Sequence, residues 1–143
     1  MLQNRQFKFS HARFLEDSGL EVEGISIYGS PWCPDLSSFA YYAAEQDLIN
    51  KWREIPSGTD ILVTHTPPYG VLDMPTSREL HLGCPHLRDE LVRIRPRVHV
   101  YGHVHASHGQ HTHDGTQFVN AAVVGGRNLE VRHGPTLVTL DAT

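Results

Sequence analysis

Two stretches decide the fold: "DILVTHTPP" at Asp60–Pro68 and "RPRVHVYGHVH" at Arg95–His105. Each sets a short β-branched apolar run against a histidine just past its end, His65 in the first and His103 in the second. Between them Leu87, Leu91 and Ile94 recur at three and four positions, behind Pro85 and ahead of Pro96. That spacing predicts an amphipathic helix opened by one proline and closed by the other. A strand, a helix and a second strand in this order specify a βαβ unit and an α/β fold with an at least partly parallel sheet.

Upstream, "LEVEGISIY" alternates about Glu23-Gly24 and predicts a hairpin of Leu20–Val22 with Ile25–Tyr28. "GSPWCPDLSS" reads as a loop. Tyr41, Ala44, Leu48, Trp52 and Ile55 lie on one face of a helix over 40–55, with Asp47 set to pair with Lys51. Downstream, Gln117–Val124 and Thr136–Leu140 are two further candidate strands.

The chain has 143 residues, a net charge of −4 and no basic stripe. One domain is the expected organisation, nucleic-acid binding has no electrostatic footprint, and no apolar run is long enough for a membrane span. The N-terminus has no apolar core of a secretory signal. Cys33 and Cys84, far apart and without CxxC spacing, read as reduced thiols of a cytoplasmic protein. There is no GxSxG elbow and no GxxxxGK[ST] loop, which disfavours a serine hydrolase and a P-loop enzyme.

Ligands of open α/β sheets gather beyond the carboxyl ends of the strands. Neighbouring parallel strands lie about 5 Å apart, so His65 and His103 can converge on one ion. His105, two residues beyond His103, shares its side while the backbone stays extended, and Gly102 is the residue expected to make the turn. His65, His103 and His105 are therefore the candidate metal ligands. His108, His111 and His113 complete five histidines in eleven residues and read as a solvated loop. His99, between Val98 and Val100, reads as a surface or hydrogen-bonded residue. His11, His81, His86 and His133 call for no special reading.

"DILVTHTPP", "GVLD", "GC" and "RPRVHVYGHVH", preceded by "LEDSGLEVEGISIYGSPW", resemble the metallophosphoesterase domain-containing protein family of the calcineurin-like metallophosphoesterases. The likeness runs in order from about Ser10 to the C-terminus. It implies an αββα sandwich with a mixed sheet, of which this chain is the C-terminal half, a single N-terminally incomplete domain over 1–143. It also implies two metal ions that activate water against a phosphoester. His65 matches the family's strand-end histidine, and His103 and His105 the two histidines of Gly-His-x-His. By the resemblance His65 and His103 bind one ion and His105 the other. Thr66 stands where the family has Gly, which would crowd the site slightly.

The chain departs from the pattern at its other motifs: no Asp-x-His, Gly-Asp-x-x-Asp or Gly-Asn-His-Glu is present. Two divalent ions about 4 Å apart need acidic or bridging ligands, and three imidazoles carry no negative charge. Asp60 lies about 16 Å from His65 along an extended strand, and nothing in the sequence aims Asp73 or Asp114 at the site. No more than one ion, of Mn, Fe, Zn or Ni, is expected in this chain.

The functional expectation is a metal-dependent phosphoesterase acting on a small phosphoester such as a nucleotide. The alternative is a non-catalytic, shortened family member serving as a metal-binding or interaction module. The Pro67–Gly83 loop, with Arg78, Glu79 and His81, is placed to contact substrate. Self-association through exposed sheet edges is expected.

Overall fold

Glu23 and Gly24, both at positive φ (50° and 80°), form the tight two-residue turn that suits the right-handed twist of a hairpin. The computed structural model describes residues 9–34, 37–75, 80–125 and 128–141. The turn joins β1 (Ser18–Val22) to β2 (Ile25–Ser30), each two residues longer than the alternation alone defines. Then follow α1 (Glu45–Glu54), β3 (Ile61–Thr64), α2 (Pro85–Ile94), β4 (Val98–Tyr101), a 3-10 turn at His105–Ser107, β5 (Gly109–His113) and β6 (Thr116–Asn120). A small ribbon of β7 (Val124–Gly125) and β8 (Glu130–Val131) completes the order.

The mixed α/β fold is as expected. The main sheet runs β1-β2-β3-β4-β6-β5. Its four inner strands, β2, β3, β4 and β6, are parallel to one another, and the edge strands β1 and β5 pair antiparallel to them. Tyr28, Leu62, His99 and Phe118 stand in one row across it. Both helices bury their apolar stripes in the same core: Leu48, Trp52 and Ile55 from α1, Leu87, Leu91 and Ile94 from α2. Each such side chain contributes about 1.5–3 kcal/mol relative to exposure. On the other face Val63, on an inner strand, is 39% exposed.

Four expectations need correction. The first helix starts at Glu45 rather than Ala40, because Tyr41 and Ala43 hydrogen-bond the backbone of Cys33 instead (Cys33 N to Tyr41 O, 2.9 Å; Ala43 N to Cys33 O, 3.2 Å). Lys51 ion-pairs with Asp17 at 2.7 Å and lies 3.9 Å over the Trp32 ring, rather than pairing with Asp47. The strand expected over Gln117–Val124 breaks after Asn120, whose side-chain oxygen takes the Ala122 N–H. Thr136–Leu140 forms no strand: its alternation is there, but no sheet edge receives it, and Leu137 is 86% exposed.

Candidate metal centre

β2, β3 and β4 lie side by side and parallel, so the chain leaves each at the same edge of the sheet. His65 follows β3 directly and His103 lies two residues beyond β4. Their backbones are tied where they leave the sheet, with Gly102 N donating to His65 O at 3.2 Å. Val104 N then donates to Gly102 O at 2.7 Å, closing a three-residue turn over His103. His103 takes φ 63° to make it. The left-handed residue is thus His103 and not Gly102, and a Cβ at Gly102 would meet nothing within 4 Å. Strain of this kind concentrates at functional sites.

The turn brings the His65 and His103 rings to 5.0 Å between centroids, at 64°. Cys33, three residues beyond β2, completes the group. Its Sγ lies 3.8 Å from His103 Nε2 and 4.0 Å from Nδ1. One ligand atom from each of Cys33, His65 and His103 can be chosen so that all lie within 4.8 Å of one another. Sequence reasoning missed Cys33 by treating it as an ordinary reduced thiol. The signal was its place shortly after a strand, as for the two histidines.

His105 opens the 3-10 turn and is not one of the three clustered residues. It is still close enough to act on His65 electrostatically. Burial, first, and then the charges of His103 and His105 hold the His65 imidazole below its usual pKa, which favours the neutral, ligating form.

The carboxylates are engaged elsewhere. Asp73 is fully buried and accepts from Gly70 N (2.9 Å), Gly83 N (3.0 Å) and His81 Nδ1 (2.8 Å), organising its own loop. Asp60 is held below the usual carboxylate range by hydrogen bonds from the Ser26 backbone and hydroxyl, with Arg97 adding to them. Asp114 lies in the β5–β6 turn. Of the substrate-loop residues, Arg78 and Glu79 lie outside the described residues. His81 lines a cleft of about 370 Å³ with Leu80, Leu82, Pro34 and His86.

Below the cluster lies a buried polar layer. His99 is fully buried, correcting the surface option. Thr64 Oγ1 donates to Thr66 O at 2.7 Å and so accepts from His99 Nε2 at 2.9 Å. Asn120 Nδ2 donates to Leu72 O (3.0 Å) and Val104 O (2.9 Å), fixing the residue between His103 and His105. Thr66 is a fully buried side chain whose hydroxyl has no hydrogen-bond partner among the described residues. The stretch read as a His-rich loop contains the edge strand β5, which carries exposed His111 and His113, while His108 stacks on His133 at 3.9 Å.

The clustered donor set fits one divalent ion. It does not fit the two of a binuclear site, since no carboxylate belongs to it among the described residues.

A UPF0046 protein of Caenorhabditis elegans is 39% identical over 130 residues, covering 90% of this chain and 32% of that protein. Human metallophosphoesterase domain-containing protein 1 is 39% identical over 123 residues, covering 85% of this chain and 38% of that protein. Over most of its length this chain is similar to the metallophosphoesterase domain-containing proteins. It spans between about a third and two fifths of the length of these relatives. No protein-family model matches it. A solved structure at 18% identity superposes with a TM-score of 0.60, over 76% of this chain and 45% of that one, a likeness of fold. Among the described residues, no helix is long and apolar enough to cross a membrane. His65, just past β3, and His103, just past β4, thus face one another across two adjacent parallel strands.

Proposed function

We propose that this chain forms the histidine wall of a metal-dependent phosphoesterase site that acts on a small phosphoester such as a nucleotide. One observation carries the reading: His65 and His103, delivered by neighbouring parallel strands, stand with their rings 5.0 Å apart on a backbone-bonded, strained turn. His65 and His103 would hold the ion, with His105 beside them. A bound divalent ion supplies Lewis acidity toward a phosphoryl oxygen and lowers the pKa of water. The chain's own part is to fix two imidazoles in place and to leave His65 open to solvent for a ligand's approach.

Among the described residues no carboxylate joins the cluster, which favours a second reading for the chain by itself, a metal-binding module without turnover. The test measures inorganic phosphate binding to the metal-loaded chain beside bis(p-nitrophenyl) phosphate hydrolysis with added Mn²⁺. Metal-dependent phosphate binding that His103→Ala abolishes is expected, with hydrolysis no faster than the metal-only control. Metal uptake without phosphate affinity would favour the module. Turnover that vanishes in His103→Ala would show that a single ion suffices for the reaction.

A further inference from the structure

We infer that Cys33 is itself a metal ligand, so that Cys33, His65 and His103 form a three-coordinate thiolate–imidazole site selective for Zn²⁺ or Co²⁺ over Mn²⁺ and Mg²⁺. This rests on the ion-binding reading of His65 and His103 and is independent of phosphoester hydrolysis.

The geometry is that of a zinc site before contraction. With Zn–S near 2.3 Å and Zn–N near 2.0–2.1 Å, tetrahedral angles put sulfur and nitrogen about 3.6 Å apart. Cys33 Sγ stands 3.8 Å from His103 Nε2, so that pair needs only a few tenths of an ångström of adjustment, and the His65 donor closes from within 4.8 Å of both. The thiol is not there by chance of a mobile loop. Cys33 is 5% exposed, and its N–H and C=O are both bonded to the segment leading into α1, through Tyr41 O and Ala43 N. Three successive parallel strands thus each send one donor to the same point, from the loops after β2, β3 and β4.

The chemistry follows from the donor set. A thiolate brings the negative charge that three imidazoles lack, its proton leaving to solvent as the ion binds. Sulfur is a soft ligand, suited to zinc, whereas Mn²⁺ and Mg²⁺ prefer carboxylate and water oxygen. Three protein ligands leave the fourth tetrahedral position open, as in catalytic zinc sites.

The test is Co²⁺ titration of the full 143-residue chain, followed by displacement with Zn²⁺. The wild-type chain should develop a near-ultraviolet sulfur-to-cobalt charge-transfer band together with visible bands of a tetrahedral ion. Cys33→Ser should lose the charge-transfer band and bind Zn²⁺ at least tenfold more weakly, with the far-ultraviolet circular dichroism unchanged. Cys84→Ser serves as the control and should keep the band. A cobalt-loaded wild-type chain without the charge-transfer band overturns the inference whether or not the variants fold, and leaves the histidine reading standing. A band lost in Cys84→Ser and kept in Cys33→Ser also overturns it. Failure of the wild-type chain to bind Co²⁺ or Zn²⁺ at all overturns both readings.

Discussion

His103 carries two demands at once, and they can be separated by substitution. It is a ligand candidate through its ring and a turn-former through φ 63°. A left-handed backbone costs an L-residue roughly 1–2 kcal/mol, and glycine escapes that cost. His103→Gly should therefore be more stable than His103→Ala by about 1 kcal/mol in urea denaturation, while both lose metal affinity equally. Equal stability of the two would mean that the turn is unstrained. Cys33 is the residue that reading by sequence did not place. A thiol two positions beyond Pro31 has no periodicity, its place shortly after β2 is its one signal, and the bonds to Tyr41 and Ala43 aim it. His65 and His103 were legible because a strand's end fixes where its next residue lies.

At the scale of elements, β3, β4 and α2 follow from the sequence because their apolar spacing is the same property that buries them. β5 escaped it. "GQHTH" has no apolar alternation, and it is a strand only because the turn at Asp114 and Gly115, at φ 48° and 81°, folds it onto β6. β4 also carries the most consequential buried base. His99 is wholly buried, and desolvation lowers its pKa to about 3 from the ordinary histidine value of 6.5. The unfolded chain then binds more protons than the folded one, so stability is complete above pH 6.5 and is lost as pH falls toward 3. Between pH 7.5 and 5 this group alone should remove about 2 kcal/mol. His99→Gln, whose amide can still donate to Thr64, should be less stable at pH 7.5 but lose less on acidification. Identical acid sensitivity in the two proteins would assign the loss to other groups.

For the molecule as a whole, the sheet has one well-covered face and one that is partly open. The helices seal Tyr28, Leu62, His99 and Phe118, while Val63 opposite is 39% exposed and Val22 on the edge strand is 49% exposed. Among the described residues neither β1 nor β5 has a further strand beyond it. Open edges and apolar surface of this kind promote association. Sedimentation velocity at micromolar concentrations should show species larger than a monomer, and Val63→Lys should shift them toward monomer. A stable monomer with a sharp two-state unfolding transition would contradict this.

The same architecture sets the central claim, that the carboxyl ends of adjacent parallel strands bring His65 and His103 onto one ion. Equilibrium dialysis with Zn²⁺, read by metal analysis of the wild-type chain and of His65→Ala and His103→Ala, tests it most directly. About one ion per wild-type chain is expected, lost in either single variant while the circular dichroism stays unchanged. Zinc retained at full stoichiometry in both variants, or absent from the wild-type chain, would contradict the account.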